Sequence, residues 1–171
     1  MSSVIYLMRH GIAADPAPGV SDADRALTPE GVRKTERVAA GLEKLGIKPD
    51  VILSSPLRRA EETARLVAEA LDARPRVELF PPLGPGVAPS ELVKQLRAHR
   101  RASELLLVGH QPDLGELASF LLTGTPKLVP LPFRKAAVAA IAVSSLPPRR
   151  PGDLEWFLTP GQLRSLGSSH N

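Results

Sequence analysis

Strands and helices alternate along the first 124 residues of this chain, and that alternation restricts the fold more than any other feature. Ser3–Met8 is a β-branched and aromatic run that reads as a buried strand. Thr28-Pro29-Glu30 supplies an N-cap, a proline at the first helical position and an acidic first turn. Val32, Ala39, Leu42 and Leu45 then line one face of a helix that stops at Gly46. Val51–Leu53 is a second strand, and Ser55-Pro56 opens a second helix with the apolar stripe Ala60, Ala64, Val67 and Leu71. Arg76–Phe80 is a third strand, followed by a loop, Pro81–Pro89, with four prolines and two glycines. Ser90 is expected to cap a short helix ending near His99, before a fully apolar fourth strand, Leu105–Val108. Pro112–Thr123 is a helix closed by Gly124. Val138–Val143 and Leu154–Leu158 have no helix between them, only the turn-forming Pro147–Gly152, and so should pair as a hairpin. The pattern predicts parallel βαβ units in one three-layer α/β domain over residues 1–171, with helices on both faces of a central sheet.

Composition removes several classes of chemistry. The chain has no cysteine, which excludes disulfides, thiolate nucleophiles and thiolate metal sites and fits a reducing cytoplasm. Its apolar runs fall well short of the roughly 20 residues a membrane helix needs, so no membrane association is expected. The first residues carry no basic region or small-residue cleavage site, and no secretory signal is expected. A net charge of +4 with six aromatic residues, none interleaved with basic ones, gives no nucleic-acid footprint.

Open parallel sheets bind ligands beyond the carboxyl ends of their strands. The first strand delivers Arg9-His10-Gly11 there, the second leads into Ser55-Pro56-Leu57-Arg58-Arg59, and the fourth delivers Gly109-His110-Gln111-Pro112. Arg58 and Arg59 would be the third and fourth residues after a Ser55 cap, where a cation opposes the helix dipole by about 0.3–1 kcal/mol. A bound anion reverses that sign, because helix N–H groups and guanidinium forks both favour phosphate. Arg58 has Glu61 and Glu62 within reach along the helix, whereas Arg59 has Thr63 at the fourth position, so Arg59 is the candidate anion ligand. No H-E-x-x-H or carboxylate cluster accompanies the histidines, arginine neighbours repel cations, and no G-x-S-x-G elbow occurs. Two imidazoles with guanidinium suit a phosphoryl group and call for no metal or other cofactor.

The same segments resemble the signatures of a known family. Leu7-Met8-Arg9-His10-Gly11 is similar to the L-x-R-H-G motif of the histidine phosphatase superfamily, which includes phosphoglycerate mutases. Ser55-Pro56-Leu57-Arg58-Arg59-Ala60-Glu61-Glu62-Thr63-Ala64 resembles its S-P-x-x-R-A-x-x-T-A segment, and Gly109-His110 resembles the dipeptide that supplies its second histidine. The Val-Gly-His-Gln-Pro run, Arg25–Gly31 and Trp156–Leu163 look like the SixA-type branch, the phosphohistidine phosphatases. The resemblance implies a mostly parallel sheet with one antiparallel edge strand. It also implies that His10 is the nucleophile, forming a phosphohistidine that water then hydrolyses to inorganic phosphate. Arg9, Arg59 and His110 would hold the non-bridging oxygens, with the Gln111 backbone N–H as a further donor. His10 must attack as neutral imidazole, and His110 is more useful protonated beside the dianion.

One departure bears on substrate. Larger relatives place a glutamate general acid after the third strand, where this chain has Phe80-Pro81-Pro82-Leu83-Gly84-Pro85-Gly86. Glu78 and Glu91 flank that stretch without being well placed, and Asp15, after Gly11, is the first suspect for a hidden acid. An alkoxide leaving group needs a proton badly, whereas imidazole, with a pKa of about 6.5, leaves far more easily. The expected substrate is therefore phosphohistidine on a phosphorylated protein of the histidine phosphotransfer type. The alternatives are a general phosphatase for small phosphorylated substrates or polyphosphate, in which case a carboxylate should lie near His10, and an inactive phosphate-binding module. The cluster Arg97, His99, Arg100 and Arg101 reads as a solvated helix end, Arg149-Arg150 as part of a turn, and His170 as a frayed terminus.

Overall fold

The computed structural model describes residues 2–168. Six strands form one sheet in the order β3-β2-β4-β1-β5-β6. In chain order they are β1 (Ser3–Arg9), β2 (Val51–Ser54), β3 (Arg76–Leu79), β4 (Glu104–Gly109), β5 (Val138–Val143) and β6 (Asp153–Leu158). The first four are mutually parallel, and β5 pairs antiparallel with both β1 and β6, so the antiparallel pairing is confined to one edge. β5 and β6 form the expected hairpin, in which β5 runs against the rest and β6 is the outermost strand.

β1 and β4 lie at the centre because they are apolar at every position of their middles. Ile5 and Leu7 pack into one layer with Leu105, Leu107, Leu117 and Phe133, while Tyr6 and Met8 face the other with Leu106, Val108, Val38 and Val67. Alternate side chains of a strand point to opposite faces, so only a strand covered on both sides reads as continuous hydrophobicity. The helices α1 (Pro29–Lys44) and α2 (Arg58–Ala70) cover one face, and α3 (Pro89–Gln95) and α4 (Asp113–Thr123) the other.

Local signals explain most boundaries. Thr28 caps α1, its hydroxyl accepting the Gly31 N–H at 2.9 Å, with Pro29 opening the helix. Gly124 ends α4 in the left-handed conformation. The cap expected at Ser90 is instead Ala88, because Pro89 takes the first helical position for which its ring is preset. The α1 interface is built from Thr35, Val38, Ala39 and Leu42; Val32 is half-buried, and Leu45 does not join them, because the helix ends at Lys44 and leaves it exposed as the cap residue.

A fifth helix, α5 (Pro160–Ser168), was not expected from the pattern of elements. A reciprocal cap starts it: Gln162 N–H donates to the Thr159 hydroxyl, and Thr159 N–H donates to Gln162 Oε1. It docks on α1 at Gly41, where a Cβ would lie 2.1 Å from the Leu163 carbonyl oxygen. His170 falls outside the described residues.

Candidate active site

Three parallel strands end side by side, and each hands one polar segment to the same cleft. β1 delivers Arg9 and His10, β4 delivers His110 and Gln111, and the first turn of α2, just after β2, delivers Arg59. With Arg25, Lys135 and Asp113 they line a cleft of about 470 Å³. The His10 and His110 rings lie with centroids 5.1 Å apart, and both residues are buried.

The backbone around His10 is fixed by two contacts. The Gly11 N–H donates to the Thr63 hydroxyl on α2 at 3.0 Å, and that hydroxyl donates to the Arg59 carbonyl at 2.8 Å. A Cβ at position 11 would sit 2.3 Å from Thr35 Oγ1, so only glycine allows the chain leaving β1 to pass α1 here. The His10 ring then closes on its own neighbour, with Nδ1 2.7 Å from the Gly11 carbonyl oxygen. A carbonyl only accepts, so Nδ1 carries the proton and Nε2 keeps its lone pair.

His110 is held differently. Its Nε2 lies 2.7 Å from the Ser55 hydroxyl, which also accepts the Leu57 N–H at 3.2 Å. Ser55 can therefore donate to a neutral ring or accept from a protonated one. Burial pushes His10 down to about 3, with the charges of His110, Arg59 and Arg9 adding to the effect and the Gly11 hydrogen bond opposing it. His110 is pushed down to about 4, by burial first and Arg59 second, against the charges of Asp113 and Asp22. Near neutral pH both rings are uncharged. The expected imidazolium at His110 thus needs the opposite charge of a phosphoryl dianion beside it.

Four buried side-chain polar atoms among the described residues lack a hydrogen-bond partner, and three of them belong to this cleft: Arg9 Nε, Arg59 Nε and His110 Nδ1. Native proteins rarely leave buried donors unpaired. Arg9 Nη1 donates to the Phe133 carbonyl at 3.0 Å, and Arg59 donates through both Nη atoms to Asp22. The arrangement suits a tetrahedral oxyanion placed against a neutral imidazole nitrogen.

The histidine phosphatase superfamily (branch 1) sequence profile matches residues 5–81. An uncharacterised protein of Picosynechococcus sp. is 42% identical over 122 residues, covering 70% of this chain and 73% of its own. The phosphohistidine phosphatase SixA of Escherichia coli is 29% identical over 165 residues, covering 94% of this chain and 96% of its own. The chain belongs to the histidine phosphatase superfamily. A structure of the protein histidine phosphatase SixA complexed with tungstate superimposes with a TM-score of 0.81 at 28% identity, covering 94% of this chain and 99% of the other. These similarities place the chain among phosphatases and make it SixA-like.

Arg9, His10, Arg59, His110 and Gln111, the five residues singled out from sequence, all line the one cleft. Gln111 does so with its side chain turned away, Oε1 accepting the Gly115 N–H at 3.2 Å. Arg58 pairs with Glu62 at 2.7 Å, as the helical spacing required. Ser55 is not the cap of α2: the helix starts at Arg58, and Arg59 is its second residue. Glu78 and Glu91 are spent elsewhere, Glu78 on Arg76 and His99 and Glu91 on Gln95. Asp15 is exposed and not among the cleft residues. The carboxylate that lines the cleft is Asp113, whose Oδ2 accepts the Gly86 N–H at 3.0 Å. Asp113 was missed because an acidic residue opening a helix is ordinary capping chemistry. Asp22 and Ser55 were missed because their partners lie 37 and 55 positions away. Among the described residues no helix is long and apolar enough to cross a membrane, and no three His, Cys, Asp or Glu side chains are grouped to hold a metal ion.

Proposed function

We propose that this phosphatase removes phosphate from phosphohistidine on a protein, by way of a covalent phosphohistidine at His10, and that it does so in the cytoplasm. The observation that carries the mechanism is the His10 ring itself: one nitrogen is tied to the Gly11 carbonyl, and the ring is held neutral by burial. Nε2 attacks phosphorus as the bond to the substrate's ring nitrogen breaks, and the departing ring takes up a proton from water. Arg9, Arg59, His110 and the Gln111 N–H stabilise the charge on the non-bridging oxygens, which is most of what a loose phosphoryl-transfer transition state requires. Water then attacks the phosphohistidine and inorganic phosphate leaves. No step calls for a metal.

Two findings support the substrate class. The SixA similarity spans nearly the whole chain, and the segment after β3, where the family resemblance implies a glutamate acid in larger relatives, is here the 3-10 turn Pro81–Leu83. Quenching turnover with labelled substrate under non-acidic conditions should trap a phosphoramidate on the wild type and none on His10→Ala, which should also lose nearly all activity. Full activity in that variant would overturn the mechanism.

A second reading rests on Asp113. A carboxylate lining the cleft could protonate an alkoxide, and the enzyme would then act on small phosphoesters as well.

A further inference from the structure

A second cleft, of about 480 Å³, adjoins the reaction cleft and shares Arg9 and Lys135 with it. Its other charged lining residues are Lys34 from α1, Arg134 from the segment before β5 and Arg164 from α5, and no carboxylate lines it. Lys34 has an ion pair with Glu30 along its own helix, at 2.9 Å. Arg134, Lys135 and Arg164 form no ion pair within the described residues. On α2, by contrast, Arg58 is paired with Glu62 and Arg65 with Glu61. Two separate elements, the segment before β5 and α5, thus bring unpaired cations to one concavity, and a concave wall of one sign concentrates the field on whatever enters.

We propose that this cleft is an anion subsite, holding a second oxyanion carried on the same molecule as the phosphoryl group to be removed. The inference rests on the phosphohistidine reading in one respect: for a protein substrate, the second oxyanion is a carboxylate flanking the phosphohistidine. A small substrate would supply a second phosphate instead. Arg9 and Lys135 stand between the two clefts, so a substrate reaching both would pass over them. The volume exceeds what one phosphate needs and falls in the range of ordinary ligand sites, about 300–1,000 Å³. A substrate with one anionic group would leave those cations facing one another, and one with two would relieve their repulsion.

The test compares histidine-phosphorylated peptides that carry Glu or Gln beside the phosphohistidine. The wild type should favour the acidic peptide in kcat/KM by about three- to tenfold, the range that one or two partly exposed charge pairs supply. Replacing both outer cations (Arg134→Ala with Arg164→Ala) should erase that preference while leaving the neutral peptide unchanged. The charge-reversed pair, Arg134→Glu with Arg164→Glu, should invert it. Equal rates for the two peptides in the wild type, or equal losses on both in the variant, would overturn the subsite. If neither peptide is hydrolysed while an aryl phosphate is, the phosphohistidine reading fails, and tripolyphosphate takes over as the probe. The subsite then stands if tripolyphosphate inhibits more tightly than orthophosphate only while Arg134 and Arg164 are present, and falls otherwise.

Discussion

The guanidinium of Arg59 is gripped by one residue of the loop above it: Nη1 donates to the Asp22 carbonyl at 2.8 Å and Nη2 to the Asp22 carboxylate at 3.2 Å. Arg59 is buried and the Asp22 side chain is largely exposed, so the arginine is pinned by a partner that solvent can reach. Arg25 shares the same carboxylate, and hydrogen bonds from Arg25 and Arg59 hold its pKa below the usual range, which keeps it charged. A phosphoryl dianion approaching Arg59 therefore meets a fixed negative charge. Asp22→Asn keeps the backbone contact and removes that charge. It should bind orthophosphate a few-fold tighter by calorimetry, in line with the modest worth of an exposed ion pair. Weaker binding would mean that Asp22 aims Arg59 rather than competing for it.

Adjacent arginines should behave differently. Arg58 is spent on Glu62 at the surface, whereas Arg59 keeps a buried, unpartnered Nε in the cleft. Ligand that binds only the folded state raises the melting temperature. Vanadate or tungstate should raise it for the wild type and Arg58→Ala alike, and Arg59→Ala should lose most of the rise. Equal losses in the two variants would remove Arg59 from the anion site.

The local parts of this design are visible in the sequence, and the tertiary ones are not. Thr28-Pro29 and Gly124 act within one turn of chain, so composition alone locates those helix ends. The three strand-end segments are legible because a parallel sheet puts every such end on one edge. The Thr159–Gln162 cap of α5 is equally local, and its signal was present in the T-x-x-Q spacing. Ser55 reads as a helix cap by every local rule, yet its hydroxyl serves His110, which only the β2–β4 pairing brings near. Asp113 opens α4 like any helix-starting acid, and its place on the cleft wall depends on where Gly86 falls. Nothing in the spacing of residues 22 and 59 announces their ion pair.

The two cleft histidines should also make the fold acid-sensitive. Their folded pKa values, about 3 for His10 and about 4 for His110, lie below the ordinary 6.5. Between those values and about pH 6.5 the unfolded chain binds more protons than the folded one, so stability is full above pH 6.5 and falls as pH drops. In phosphate-free buffer, the urea midpoint of the wild type should decline from pH 7 to pH 4 more steeply than that of a His10→Asn, His110→Asn double variant. The difference should exceed about 1 kcal/mol by pH 4, since each unit of pKa displacement is worth about 1.4 kcal/mol. Parallel slopes would show that the rings are not held neutral.

Asp113 decides between the two substrate readings, and leaving groups can interrogate it. Without a general acid, negative charge on the departing oxygen goes unneutralised, so the rate falls steeply as that oxygen becomes more basic. Phosphohistidine suffers little, because imidazole at about 6.5 leaves readily beside an alkoxide whose conjugate acid is near the 15.7 of water, roughly speaking. The logarithm of the rate of His10 phosphorylation, measured in single turnover across aryl and alkyl phosphates, should therefore decline with leaving-group pKa. Single turnover is needed because slow hydrolysis of the phosphohistidine would mask the trend. Asp113 sits on the cleft wall but spends Oδ2 on the Gly86 N–H, and its charge acts on His110. If it serves only to hold the 84–86 turn, Asp113→Asn should leave the slope unchanged and lower all rates alike. A shallow slope that steepens in Asp113→Asn would identify Asp113 as the proton donor, and small phosphoesters would then displace phosphohistidine as the favoured substrate.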